Sequence, residues 1–159
     1  MVEHLTGYPG VFLICLLAGI GLPFPEDIAV AIVGVQVASG TVHFLPALVL
    51  AGIGVLGRDI IVWCLGRYLG DWAMRRPWVV RLVGGKRLDK ARDLVIKRGG
   101  MSVLAGRAMI GMRVPVFFVT GTMGIPLSQF VKWDSLGLLV TTPILVGLGV
   151  FLGAPIVET

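Results

Sequence analysis

Residues 101–124 read MSVLAGRAMIGMRVPVFFVTGTMG, an apolar, glycine-rich stretch whose only charges are Arg107 and Arg113. A guanidinium at membrane depth is costly unless it is paired or hydrated, so two of them in one apolar run mark a site. The stretch is apolar from Met101 to Ile110, breaks around Gly111-Met112-Arg113-Val114-Pro115, and resumes from Val116 to Gly124 ahead of Pro126. On an unbroken helix two residues six apart point about 120° away from each other, at about 100° per residue, so the arginines would diverge. A break between them lets both face one cavity. Arg113 then falls just ahead of Pro115 in the first turn of a second arm, where backbone N–H groups and the helix dipole attract anions. Guanidinium groups add forked, charge-assisted donors that fit phosphate oxygens bidentately. The competing reading is structural: the arginines snorkel to the interface, or pair with Glu26, Asp27 or Asp59 to hold the fold.

The rest of the chain supplies the same solvent. Its 159 residues are 56% hydrophobic and 14% charged, with a mean hydropathy of +0.92, more apolar surface than a water-soluble chain of this length can hide. Apolar runs at residues 8–38, 42–66, 101–127 and 135–157 each reach or exceed the roughly 20 residues of a spanning helix. The expected fold class is an all-α membrane protein forming a single domain over residues 1–159. Glu3, with no Lys or Arg near it, argues against a cleaved signal peptide and is compatible with an uncleaved insertion signal.

The first apolar run is interrupted by Pro23-Phe24-Pro25-Glu26-Asp27. Each proline removes a backbone donor, and Pro25 also drives Phe24 out of the helical region, so the run bends there. Arms at residues 11–21 and 27–38 are each about 16 to 18 Å long at 1.5 Å per residue, short of the roughly 30 Å hydrocarbon core. That is the signature of a re-entrant hairpin whose tip carries Glu26 and Asp27. Two carboxylates at depth must line protein or water; a plain N-cap role for one of them is the simpler alternative. Residues 101–124 repeat the design, with the arginines at the tip.

Two inverted repeats are therefore expected, each a re-entrant helical hairpin followed by a transmembrane helix, at about residues 11–66 and 101–153. A basic amphipathic cytoplasmic segment at about residues 71–100 joins them. Its residues 75–98 hold Arg75, Arg76, Arg81, Lys86, Arg87, Lys90, Arg92, Lys97 and Arg98 against only Asp89 and Asp93, so the surplus behind the net charge of +5 is concentrated here, which places the segment inside by the positive-inside rule. Its apolar residues, among them Trp78, Leu82, Leu88, Leu94 and Val95, suit helices lying on an anionic leaflet; a solvated topogenic loop is the alternative. Nucleic acid is excluded as a partner, because no aromatic platform or binding motif accompanies the charge. Inverted-repeat transporters place their substrate and coupling-ion sites near the midplane, at broken helices.

Other motifs carry no chemistry. Cys15 and Cys64 lie in apolar runs without partner ligands, and His4 and His43 are too few for a metal site, so neither metal nor cofactor is expected. Ser102, Ser128 and Ser135 have no base nearby in sequence, which argues against an enzyme. Gly52, Gly54 and Gly57 spell G-x-G-x-x-G, but continuous apolar flanks replace the strand and helix that a dinucleotide site needs. Small residues there suit close helix packing.

The motifs together resemble the DedA membrane proteins, related to the VTT-domain lipid scramblases, from about Gly19 to Gly153. Pro23-Phe24-Pro25-Glu26-Asp27 is similar to the family's P-x-P-G/S-E/D turn, with Glu26 in the small-residue position and Asp27 on the functional acid. Asp59, Trp63, Gly66 and Arg67 resemble G-D-x-x-x-Y-x-x-G-R, with Arg58 for its glycine and Trp63 for its tyrosine. Gly106-Arg107 through Gly111-Met112-Arg113, then Gly121, Phe130 and Trp133, resemble G-R-F-x-P-G-x-R and its downstream aromatics. Ala18 stands where many members carry a further Glu; either Glu26 takes over its role or the coupling is altered.

The resemblance implies a multi-pass protein of the bacterial inner membrane that translocates a phosphate-bearing lipid carrier, undecaprenyl phosphate, with proton coupling. Arg107 and Arg113 would bind the phosphate, and Asp27, Glu26 and Asp59 would couple protons or pair ions. Membrane phospholipids, polyprenyl phosphate and protons are the partners implied, with homo-oligomers allowed. Two rivals are a small-ion or proton antiporter or channel, and a structural or chaperone-like membrane subunit.

Overall fold

The computed structural model describes residues 7–17, 26–83, 85–109 and 111–157, and among them every regular element is helical. In chain order these are α1 (Tyr8–Leu17), α2 (Glu26–Ala38), α3 (Phe44–Met74), α4 (Pro77–Val83), α5 (Gly85–Arg98), a 3-10 turn (Gly99–Met101), α6 (Ser102–Ala108), α7 (Arg113–Thr122) and α8 (Leu127–Val157). His4, Ala18 and the proline turn at residues 19–25 lie outside the described residues, as do the side chains of Glu26 and Asp27, whose backbone opens α2.

Among the described residues two helices are long and apolar enough to cross a membrane, Phe44–Met74 with 31 residues and Leu127–Gly153 with 27. At about 1.5 Å per residue each exceeds the roughly 30 Å hydrocarbon core. The helices of the interrupted runs are short, with 10 residues in α1, 13 in α2, 7 in α6 and 10 in α7. None of these reaches across that thickness alone.

Both long helices outrun their apolar cores. The run expected to end at residue 66 stays helical to Met74, because no breaker intervenes before Pro77, which takes the first position of α4. The run expected to start at 135 is helical from Leu127, directly after Pro126, whose carbonyl accepts from the Gln129 and Phe130 amides at 3.0 and 3.1 Å. Lys132 and Asp134 are thereby carried into the helix.

The chain divides into two compact units, one of residues 59–137 and one of the residues up to 58 together with those from 138. In the second of these, Val11, Cys15, Val30, Val33, Val55 and Val146 are buried in one core. Glycine contacts hold its helices close: a Cβ at Gly34 would lie 2.6 Å from the Gly149 Cα, and one at Gly54 3.0 Å from the Cys15 Cβ. Of the G-x-G-x-x-G glycines, Gly52 faces open space, Gly57 meets only the Leu16 side chain, and Gly54 serves this packing inside the unbroken α3.

In the unit of residues 59–137, Trp63, Leu88, Val95, Val103, Phe117 and Phe130 belong to one core. The apolar side of α5, with Leu88, Ala91 and Val95 buried, closes on α7. The segment is thus helical, as expected, rather than a solvated loop; the buried apolar side of α5 is spent inside the protein, and Lys86, Lys90, Lys97 and Arg98 are exposed. The helix α3 meets α7 through glycines, since a Cβ at Gly66 would collide with the Phe118 carbonyl and one at Gly121 with the Trp63 carbonyl.

Candidate functional site

The break foreseen between the arginines is made by three features. Met109 is extended, at φ −97° and ψ 115°, and ends α6. Gly111 has φ +75°, in the left-handed region that favours glycine, and the Met112 amide donates to the Met109 carbonyl at 3.1 Å. The helix then restarts at Arg113 with no side-chain cap, and Pro115 sits in its first turn where its missing N–H is harmless. At the other end of α7, Gly124 at φ +76° closes a Schellman turn in which the Ile125 amide donates to the Thr120 carbonyl at 3.1 Å. Pro126 starts α8. Two tight turns thus bring α6, α7 and the beginning of α8 together.

Four charged side chains converge there: Asp59 from α3, Arg107 from the last turn of α6, Arg113 from the first position of α7 and Asp134 from α8. Asp59 and Asp134 are fully buried and Arg107 is 6% exposed. Arg107 Nη2 donates to Asp59 Oδ2 at 2.5 Å and to Asp134 Oδ1 at 2.7 Å, and Nε donates to the same Asp134 oxygen at 3.0 Å. Arg113, half-buried, is in electrostatic contact with Asp134. Two cations and two carboxylates make a formally neutral cluster, the arrangement that burial of charge demands.

Packing around Arg107 holds it in place. Its Cζ lies 5.8 Å from the Phe117 ring centroid, within cation–π range, and Phe117 meets Phe130 edge-on with centroids 5.1 Å apart. A Cβ at Gly137 would sit 2.5 Å from the Arg107 Cδ, so glycine at that position of α8 leaves the passage for the arginine stem. The buried Thr120 hydroxyl donates to the Phe117 carbonyl at 2.7 Å. One acceptor in the cluster remains open: Asp134 Oδ2 is buried without a hydrogen-bond partner among the described residues.

Of the residues singled out in the sequence, Arg107, Arg113 and Asp59 are brought together, while the side chains of Glu26 and Asp27 lie outside the described residues. Asp134 was not singled out. Its signal was available, since it is the one acid among residues 127–157, but it sits beside Lys132 and Trp133 just ahead of the last apolar run, where a charge reads as interfacial. The buried Arg58, 2% exposed, went unassigned as well. Among the described residues no three His, Cys, Asp or Glu side chains gather to hold a metal.

The VTT domain family matches residues 24–151, a span that includes the whole cluster. The chain belongs to this family of membrane proteins, the DedA proteins. A Haemophilus influenzae relative named an uncharacterized membrane protein is 30% identical over 148 residues, covering 90% of this chain and 69% of its own. The Escherichia coli inner membrane protein YabI is 28% identical over 143 residues, 88% of this chain and 54% of that one. A Bacillus subtilis protein named undecaprenyl phosphate transporter A is 25% identical over 148 residues, 93% of this chain and 73% of that one. Against the Buchnera aphidicola (strain Sg) membrane protein the chain spans 55% of the relative's length. No solved structure matches.

The family-like segment around Asp59 acts as one piece. Asp59 enters the cluster, Trp63 Nε1 donates to the Ile125 carbonyl at 3.2 Å at the turn between α7 and α8, and Gly66 takes the close approach of α7. Trp63 in the tyrosine position thus ties α3 to the turn that delivers α8 and its Asp134.

Proposed function

We propose that the protein translocates a phosphate-bearing lipid carrier, undecaprenyl phosphate, across the bacterial inner membrane. The observation that carries this reading is the buried Arg107–Asp59–Asp134 cluster, formally neutral with Arg113 beside it, at a break between two helices too short to span a bilayer. The name of the Bacillus subtilis relative points to the same ligand. In this reading α1 with α2, and α6 with α7, are re-entrant hairpins, and α3 and α8 are the spanning helices of two inverted repeats.

Arg113 is the first contact for the lipid phosphate. It is half-buried and opens α7, where the uncapped helix terminus favours an anion. Arg107 follows by exchange. A phosphate offers its fork the same bidentate geometry that Asp134 and Asp59 occupy. A carboxylate left without its arginine in an apolar site is costly, and proton uptake removes the cost. Lipid entry and proton uptake are linked through this competition, and by reciprocity so are their exits. Asp27 and Glu26 are further proton carriers on the family resemblance, and the polyprenyl tail stays in the bilayer.

The test is reconstitution in liposomes with undecaprenyl phosphate whose leaflet is read by accessibility to an external reagent. Wild type should move the lipid, and Arg113→Ala, Asp27→Asn and Asp134→Asn should not. Equal movement by all four overturns the mechanism. A cluster serving only an ion channel would conduct without dependence on the lipid phosphate.

A further inference from the structure

A third arginine lies at the break between Arg107 and Arg113. A Cβ at Gly111 would stand 3.6 Å from Arg87 Nη1, 3.8 Å from its Cζ and 3.9 Å from its Nη2. Three atoms of one plane at nearly one distance mean that the guanidinium lies flat over the turn. The turn leaves it that room, because Gly111 has φ +75° and no side chain. Its N–H donors lie in the guanidinium plane and point past the glycine. The residue that follows anchors it, since Leu88 is buried and, with Ala91 and Val95, fixes α5 against α7. Arg113 comes two residues after Gly111, so the Cα atoms of those two are at most about 7 Å apart. A phosphate held by Arg87 is therefore within side-chain reach of Arg113.

Arg87 has no acid of its own. The residues three and four positions away on either side are Val83, Gly84, Lys90 and Ala91, none of them a carboxylate. It is exposed, and among the described residues it is in no ion pair or hydrogen bond. The cluster past the turn sets Arg107 and Arg113 against Asp59 and Asp134, so its formal charge is zero and its pull on a distant anion is weak. With Arg87 the break carries one positive charge in surplus. Cations gathered at one turn repel each other, and an anion between them relieves the repulsion.

We infer that Arg87 is the capture residue for the lipid phosphate: its charge draws the phosphate to the Gly111 turn and passes it to Arg113, the first contact within the cluster. The inference rests on the translocation reading above and adds the residue that governs how the site fills. A charge at the rim of a site acts on encounter, changing the association rate and its dependence on salt. The exchange of Arg107 between phosphate and carboxylate comes afterwards and does not need Arg87. Position distinguishes this arginine from the rest of the basic surface. Lys97 is exposed on the same helix, but it lies ten residues on, about 15 Å further along at 1.5 Å per residue.

Initial rates of undecaprenyl phosphate translocation in liposomes test this, taken over a range of lipid fractions at ionic strengths of about 0.01 and 0.15 M, where the Debye lengths are about 30 and 8 Å. At the lower ionic strength Arg87→Gln should raise KM about tenfold, the low end of what local charge adds to encounter, with kcat and the melting point in detergent at wild-type values. At the higher ionic strength the difference should shrink. Arg87→Lys should restore KM, since charge draws the phosphate, and Lys97→Gln, which removes the same charge elsewhere on α5, should behave as wild type. An unchanged KM in Arg87→Gln overturns the inference, and so does an equal rise in Lys97→Gln. A loss of stability that Arg87→Lys fails to restore also overturns it, because Arg87 would then be a packing residue on Gly111. Failure of the translocation reading is a separate result, in which wild type moves no lipid. Equilibrium binding of undecaprenyl phosphate in detergent then decides the capture: about tenfold weaker binding by Arg87→Gln supports it. Equal affinity overturns it, as does displacement of the lipid by equimolar inorganic phosphate, which would assign the site to a soluble anion.

Discussion

Arg107 holds Asp134 through two nitrogens, Nε at 3.0 Å and Nη2 at 2.7 Å from the same Oδ1. Since Nη2 also reaches Asp59, one guanidinium joins α6 to both α3 and α8. Truncating one partner of such a buried set leaves the others uncompensated. Asp134→Ala should therefore lower stability by about 3–5 kcal/mol. Asp134→Asn keeps an acceptor for Arg107 and should cost less. Unfolding midpoints in detergent, followed by the fraction eluting as folded protein, give both values, and an alanine variant as stable as wild type would contradict the pairing.

Replacing each arginine by lysine separates charge from fork. A lysine at 107 carries one ammonium and cannot reproduce the contacts of Nε and Nη2 to two carboxylates, so Arg107→Lys should lose stability and translocation together. Arg113 opens α7 and is only half-buried, so a lysine there can keep its charge with less disturbance of packing. Arg113→Lys should melt near wild type while translocation of undecaprenyl phosphate falls by at least about tenfold, the equivalent of about 1.4 kcal/mol. Wild-type transport by Arg113→Lys would exclude forked phosphate recognition and favour a structural role for the pair.

The extent to which this arrangement was readable in sequence follows from how charge and apolarity are interleaved. Arg107 and Arg113 stood out because nothing else in residues 101–124 is charged, and the Gly111–Pro115 break between them could be inferred from backbone chemistry alone. Asp59 emerged as one of three candidate partners for the arginines and again through its motif. Asp134 did not, because hydropathy counts a charge beside Lys132 and Trp133 as the end of a span, whereas α8 starts at Leu127 and buries it. The partner that makes such burial tolerable lies 27 residues away in sequence, beyond any local pattern. The apolar side of α5 was visible for the same local reason the arginines were, but a helix pattern states which face is apolar and not whether lipid or α7 covers it.

Glycines at the α3–α7 contact should be intolerant of a single methyl group. A Cβ at Gly121 would meet the Trp63 carbonyl and lie 2.8 Å from the Arg67 amide nitrogen, both backbone atoms that cannot rotate away. Gly121→Ala is expected to cost about 1–3 kcal/mol as overpacking. Gly52→Ala, facing open space inside α3, should be neutral or stabilising by up to about 1 kcal/mol through helix propensity. Melting points of the two variants side by side decide the matter: equal effects would mean that α3 and α7 are not in close contact.

Gly137→Ala tests whether the arginine stem is as confined as its charged end. The added Cβ would be 2.5 Å from Arg107 Cδ, 3.2 Å from Nε and 3.3 Å from Leu104 Cδ1. A free arginine would swing aside, and alanine would then stabilise α8 by up to about 1 kcal/mol. This one is anchored on Asp59 and Asp134, so the methyl group must displace the salt bridges or the helix. Gly137→Ala should destabilise by about 1–3 kcal/mol and impair translocation, although residue 137 carries no charge and no polar side chain. In a double-mutant cycle with Arg107→Ala, which removes Cγ and Cδ and so vacates the passage, the two changes should be non-additive by about 0.5–3 kcal/mol, as expected for residues in contact. Additivity would place the Arg107 stem away from α8 and remove the steric reason for glycine at this position.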